Sequence, residues 1–266
     1  MHSTMITLLN RLESPELART DVIRWGCPVP VFGDLRACRV ATVGLNPSRR
    51  EFLDEFGNEL QGRARRFHTL SSLRLASWSD VDFRHIQLML ELCQAYFEHN
   101  PYHSWFGRLD RVISGTGSSY YGPSAGACHL DLIPYATAHK WTDLTTKQRT
   151  ALMSQSADTL GLIIRDSPIQ VLVLNGMTVV DQFEVIADGN FKRDRMFNWS
   201  LPRKSGVSVA GFAYKTLVKR IGGIDLGRAV IGLGFNHNLQ SSFGVTTEVI
   251  NGIRQWITQA TAETLN

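Results

Sequence analysis

Four short apolar runs constrain this chain more than any other feature: 38–44 (CRVATVG), 127–134 (ACHLDLIP), 169–174 (IQVLVL) and 229–234 (AVIGLG). Runs that are continuously apolar, rather than alternating, suit strands buried on both faces, as in a parallel sheet. The segments between them carry helical periodicity, at 83–99, 144–164, 178–187 and 249–260. The second opens with Thr145 three residues before Gln148, a capping-box spacing, and stops before Ser167-Pro168. The last sets Val249, Ile253, Trp256 and Ala260 on one face. Strands alternating with helices predict an α/β fold, a three-layer α/β/α sandwich around a central, mainly parallel four-stranded sheet. The segment 205–213 can supply an extra edge strand.

The 266 residues are read as a single domain, with its core at about 36–258 and an N-terminal helical extension at 4–20. No run approaches the ~20 apolar residues of a membrane span. Glu13 and Glu16 interrupt the N-terminal apolar pattern, which does not read as a signal peptide, so a cytoplasmic protein is expected. Cys27, Cys38, Cys93 and Cys128 are unevenly spaced with no CxxC, which points to buried, reduced thiols and to neither a metal nor a cluster. No strand is followed by GxGxxG and no Walker-type loop occurs, so no nucleotide cofactor is expected. The sequence pI near 9.0 matters through its distribution. Basic residues cluster at Arg49 and Arg50, at Arg63, Arg65 and Arg66, at Lys192, Arg193, Arg195, Arg203 and Lys204, and at Lys215, Lys219 and Arg220. Such clusters suit a polyanion such as nucleic acid, though a solvated cationic surface would carry the same charge.

In open α/β sheets the ligand crevice lies outside the carboxyl ends of the strands. After the first run comes Gly44-Leu45-Asn46-Pro47-Ser48, and Asp131 lies near the end of the second. Asn175-Gly176 follows the third, and Gly234-Phe235-Asn236-His237-Asn238 closes the fourth. Asn46 could equally be a turn or cap residue, and His237 an ordinary loop residue. What distinguishes them is that polar side chains stand at all four strand ends together.

These segments carry a resemblance. VGLNPSRREF (43–52) resembles the first motif of the uracil-DNA glycosylase superfamily, in which a strand ends in a Gly-x-Asn-Pro or Gly-x-Asp-Pro turn. HLDLIPYAT (129–137) resembles its base-reading strand, with Asp131 where Asn is usual. LVLNGMTV (172–179) resembles its third unit, and GFNHNLQSS (234–242) its last motif, a His-Pro-Ser loop with Asn238 in place of proline. The resemblance implies a monomeric DNA glycosylase that needs no metal or cofactor and has DNA as its partner. A flipped base would enter a pocket formed by Gly44, Leu45, Pro47 and Ser48. Asn46 would hold the attacking water, and His237 would donate to the base O2 as negative charge grows there. An amide cannot be a general base, so bond breaking would run well ahead of water attack. Phe67 is the expected stacking ring. Arg49, Arg50, Arg65 and Arg66 would contact phosphates, and Asn238, Leu239 and Ser241 would contact DNA, with Leu239 or Phe243 as a wedge. Tyr102, His103, Trp105 and Phe106 form a further aromatic cluster that could line the pocket or fill the core.

Asp131 departs from the resemblance in an informative way. Asn can both donate to O4 and accept from N3–H of uracil, whereas a carboxylate only accepts. Cytosine presents an N4 amino donor at that place. Ser48 occupies the position where a tyrosine crowds the base C5 in the uracil-specific branch, and its small side chain leaves room for a 5-substituent. The expected substrate is therefore a 5-modified cytosine, such as the hydroxymethyl or glucosylated base of some phage DNA, with a role in antiviral defence. A uracil or deaminated-base repair glycosylase and a non-catalytic nucleotide- or DNA-binding α/β protein are the alternatives. The competing reading of Asp131 is a structural carboxylate, bonded to backbone N–H groups or an arginine.

Overall fold

The computed structural model describes residues 1–99, 103–122, 125–203 and 206–265, so Tyr102, Lys204 and Ser205 lie outside the described residues. Strands β1 (Val40–Gly44), β2 (Ala127–Asp131) and β3 (Val171–Asn175) coincide with three of the apolar runs, β3 reaching one residue further. Every residue of β2 and β3 is buried, as expected of strands covered on both faces. Two further strands, β4 (Lys192–Leu201) and β5 (Val209–Ile221), precede β6 (Ile224–Phe235).

The helices are α1 (His2–Leu12) and α2 (Pro15–Ala18) in the N-terminal extension, and α3 (Leu70–Leu73), α4 (Phe83–Gln94) and α5 (His103–Ile113) between β1 and β2. After them come α6 (Thr146–Arg165), α7 (Met177–Ile186) and α8 (Thr247–Leu265). The cap read from sequence forms: Thr145 Oγ1 accepts from the Gln148 N–H at 3.3 Å, and Gln148 Oε1 accepts from the Thr145 N–H at 2.9 Å. The helix expected at 83–99 ends at Gln94 and gives way to a short 3₁₀ turn, Tyr96–Glu98. Helix α5 is an addition to the expected set. Among the described residues no helix is long and apolar enough to cross a membrane. All four cysteines are free and buried.

The sheet has six strands in the order β2-β1-β3-β6-β5-β4, not the four expected. The first four of that order are mutually parallel, and β5 and β4 are added antiparallel. The run 229–234 is only the buried part of β6, and 205–213 overlaps an internal strand rather than an edge. The true edge is β4, whose exposed Lys192, Arg193 and Arg195 give it the look of a charge cluster. A strand with one wetted face keeps only every second position apolar, so a search for continuous runs passes over it. The β5–β6 hairpin turns on Gly222 and Gly223, both at positive φ (+56° and +79°), as a tight primed turn requires. A Cβ on Gly222 would also collide with the Ala157 carbonyl of α6, so no other residue fits there.

Helices flank the sheet on both faces. Tyr214 Oη donates to Met177 Sδ of α7 at 3.1 Å, while its neighbour Lys215 pairs with Glu263 of α8 at 3.0 Å. Successive residues of a strand point to opposite faces, which sets α7 and α8 on opposite sides. The parallel register pairs Gly44 with Asp131 and Asn175 with Phe235, so the carboxyl ends of all four parallel strands share one edge. That edge is where a ligand crevice is expected.

Candidate functional site

At this edge lies a cavity of about 410 Å³, within the ~300–1,000 Å³ of small-molecule sites. Phe32, Trp105 and Phe106 provide aromatic walls, His129, Asp131 and Asn175 bring polar groups from the strands, and Asn46, Ser48, Arg50 and Glu51 come from the loop after β1. A second cavity of about 520 Å³ shares Asn46, Pro47, Ser48 and Arg50 with the first and adds Arg49, His139 and Lys140. Asn46 thus stands where an aromatic chamber meets a cationic groove.

The orientation of Asn46 follows from its partners. Its Nδ2 donates to the Pro47 carbonyl at 3.1 Å and to Thr137 Oγ1 at 3.0 Å. Thr137 has already given its own proton to the His139 carbonyl at 2.7 Å, so its oxygen can only accept from Asn46. The amide nitrogen is fixed on that side, and Oδ1 takes no donor from the described residues. An acceptor held this way can bind and orient a water molecule.

Asp131 is almost fully buried, and its Oδ1 lies 3.4 Å from His129 Nε2. Among the described residues neither a backbone N–H nor an arginine donates to it. The proton on His129 can be assigned by following the buried chain behind it. The Tyr120 hydroxyl has Thr42 Oγ1 as its one hydrogen-bond partner among the described residues, so the phenol donates there. Thr42 then donates to His129 Nδ1 at 2.7 Å, which leaves the proton on Nε2, facing Asp131. Residue 44 must be glycine for this pair to approach β1, because an added Cβ would collide with Asp131 Oδ1 and press on His129 Nε2. Asn175 is equally enclosed, donating to Gln240 Oε1 at 2.7 Å and accepting from the Leu239 N–H at 3.1 Å. Gln240 in turn donates to the Trp105 carbonyl at 3.1 Å, tying the loop after β6 to α5.

Glu51, His129 and Phe32 are site residues that sequence reasoning misses. Glu51 sits between two arginines and a phenylalanine in a motif that reads as a surface turn. The fold buries it: Tyr96 Oη donates to its two oxygens at 3.1 and 3.3 Å, and Arg66 lies 3.7 Å away. Burial pushes its carboxyl up to about 8, with neighbouring Asp131 adding to the rise and Arg66 and Tyr96 opposing it. The native state therefore holds a proton at neutral pH that an unfolded chain would release. Its contribution to stability is present below about pH 4.5 and is lost as pH rises toward about 8, with a slope of up to ~1.4 kcal/mol per pH unit. Glu51→Gln removes this slope. Denaturant melts at pH 6 and pH 8 should show a smaller loss of stability in the variant than in the parent, and equal losses would refute a proton on Glu51.

Several sequence expectations need correction. His237 does not line the cavity: it is buried, and its Nε2 donates to the Trp199 carbonyl at 2.8 Å. Burial also lowers its pKa, so the ring is neutral and serves to hold β4 to the loop after β6. The histidine of the cavity is His129. Phe67 is a core residue, stacked on Tyr96 with centroids 5.4 Å apart, and Phe32, Trp105 and Phe106 form the walls instead. Leu239 is fully buried and cannot act as a wedge, whereas Phe243 is exposed. Arg66 donates to the Arg50 carbonyl at 2.8 Å beside Glu51, so it serves the loop rather than a phosphate. Arg65 faces a separate, smaller cavity with Arg63 and His99. Asn238 lines the main cavity, yet its Oδ1 is taken by the N–H groups of Gln240 and Ser241, both at 3.0 Å. Lys219 and Arg220 lie at the opposite end of the sheet, where Arg220 stands opposite Asp225 at the start of β6. Gly44, Leu45, Asn46, Pro47, Ser48 and Asp131 do converge on one cavity, and Arg49 and Arg50 are exposed beside it.

A scan against protein-family models finds no family that matches this chain, and a search of curated proteins finds no match.

Proposed function

We propose that this protein is a monofunctional DNA glycosylase that takes a flipped nucleotide into the aromatic cavity, hydrolyses its N-glycosidic bond and leaves an abasic site. The observation that carries the reading is the placement of Asn46: an amide pinned through nitrogen, with its oxygen open to water, at the junction of a base-sized aromatic chamber and a cationic groove. The base enters the chamber, the sugar-phosphate follows the groove past Arg49 and Lys140, and the bond between them lies beside Asn46. Four parallel strands, helices on both faces and a Gly-x-Asn-Pro turn after the first strand also agree with the resemblance to the uracil-DNA glycosylase superfamily.

The chemistry follows from the groups present. The C1′–N bond breaks first, its electron pair leaving with the base, and the sugar becomes an oxocarbenium ion. Water held by Asn46 Oδ1 forms the new C1′–O bond, and its spare proton passes to solvent or to the departing base. The protonated carboxyl of Glu51 is a donor in the same chamber, and donors aimed at developing charge are usually the largest catalytic contribution. Asp131, held by His129 through one oxygen, keeps the other for an amino donor, which favours the N4 group of cytosine. The chamber exceeds the size of an unsubstituted pyrimidine, and Ser48 at its rim leaves space for a 5-substituent. We therefore assign 5-substituted cytosine as the preferred base and defence against phage DNA that contains it as the role.

The test is incubation with oligonucleotides carrying uracil, hypoxanthine, cytosine, 5-hydroxymethylcytosine or its glucosylated form, followed by alkali to cut abasic sites. Strand scission at the substituted cytosines is the expected result. Scission at uracil alone would make the protein a repair enzyme, and none on any substrate would leave it a binding protein.

A further inference from the structure

The antiparallel extension lies outside the cavity, yet it carries a pattern the fold does not need. The Arg193 guanidinium lies 3.7 Å from the ring centroid of Phe212, Arg195 4.9 Å from that of Phe197, and Arg203 5.9 Å from that of Phe243. Phe197 is 75% exposed and Phe243 60%. Large rings left in water, each with an arginine on one face, contribute little to folding and mark an interaction surface. The one acidic residue of β4, Asp194, is paired with Lys192 at 3.4 Å, so the arginines keep their charge for a partner.

The register places this surface at the cavity's end of the sheet. Arg195 pairs with Phe212, and Ala213 pairs with Phe235, which in turn pairs with Asn175 of the cavity wall. From β1 to β4 the sheet takes four steps, roughly 19 Å at the usual ~4.8 Å between strands. A chain entering beside Arg49 and Lys140 would cross the cavity and run on to β4 with cations at both ends. Edge pairing with a second copy is disfavoured, because charged side chains and a register shift between Met196 and Leu201 blunt the strand.

We infer that the β4–β5 face and the adjoining loop after β6 bind single-stranded DNA, with Arg193, Arg195 and Arg203 on phosphates and the exposed rings of Phe197 and Phe243 stacking bases on their free faces. The pairing of a cationic track with exposed rings suits single strands, whose bases are open to stack, and not duplex, whose bases are covered. The inference rests on the glycosylase reading only in supplying a reason for DNA to lie there; binding itself is measured apart from base release.

The test uses the full chain and a fluorescent oligothymidine of ~16 nucleotides, followed by anisotropy across a salt series. The parent should bind it more tightly than a duplex of equal length. Phe197→Ala, which removes an exposed ring, should weaken binding about tenfold or more. Arg193→Gln with Arg195→Gln should lower the slope of log affinity against log salt by roughly 1.4, two single-strand phosphates' worth. Equal affinities for parent and variants, or tighter binding to duplex, would overturn the inference. So would a dimer in sedimentation that Phe197→Ala dissolves with no change in oligothymidine affinity. A parent that binds oligothymidine but releases no base would refute the enzyme reading alone.

Discussion

Asn46→Ala is expected to lower base release by on the order of 10²-fold or more while the protein stays folded. The side chain is half-buried, and its loss removes two ordinary hydrogen bonds, to Pro47 and Thr137, and a long one to the Tyr135 carbonyl at 3.5 Å, so it should cost little stability. What disappears is the acceptor that positions water below the sugar, an interaction made in the transition state. The measurement is single-turnover release of the preferred base, with the circular dichroism melt as a check on folding. His237→Ala supplies the contrast. It leaves the Trp199 carbonyl without its donor and should cost ~1–3 kcal/mol of stability, with the rate per folded molecule changed only a few-fold. Normal cutting by Asn46→Ala would remove the water site from this residue. A fall of 10²-fold in folded His237→Ala would show that the buried ring must reach the cavity when DNA binds.

The second large effect is a change of substrate. Asp131→Asn should damage release of substituted cytosine and move preference toward uracil, since the amide donates to O4 as the carboxylate cannot. A mismatched partner in an enclosed polar pocket costs roughly 1–3 kcal/mol, about 5- to 150-fold in rate ratio. The structure sharpens this expectation, because the Nε2–H of His129 faces Asp131 and its tautomer is fixed from behind by Thr42 and Tyr120. The amide introduced by the substitution can still accept from that N–H through its oxygen, which turns its NH₂ toward the base. Ser48→Tyr tests the other arm, closing the rim to a bulky 5-substituent while sparing unsubstituted bases. Both variants are read on the same oligonucleotide panel. Retention of the parent's preference by Asp131→Asn would mean that the carboxylate does not read the base.

All four apolar runs mark parallel strands, the fourth as the buried part of the longer β6, and the cap at Thr145 formed as its spacing required. These features are local: periodicity along one segment and hydrogen bonds across three residues decide them. The loop after β1 and Asp131 were legible as one site for a related reason. If the strands are parallel and adjacent, their carboxyl ends must meet, and residues read there need no knowledge of side-chain packing.

Side-chain fate was another matter. His237 and His129 both sit beside strand ends, and nothing local distinguishes them. One binds the Trp199 carbonyl, 38 residues away in sequence, while the other faces Asp131. Glu51 reads as solvated between arginines until Tyr96 and Arg66 close over it and burial raises its pKa. Phe67 and Phe32 are the same residue type, both buried, yet one only fills the core and the other also walls the cavity. Strand β4 escapes a search for apolar runs because a half-wet edge strand bearing cations has the composition of a surface. The alternation of strands and helices, and the meeting of four strand ends, are written in the residue order, because short-range periodicity and chain direction suffice for them. Which side chains enter the cavity and which hold it together is settled by folding, because burial and hydrogen-bond partners come from residues far apart along the chain.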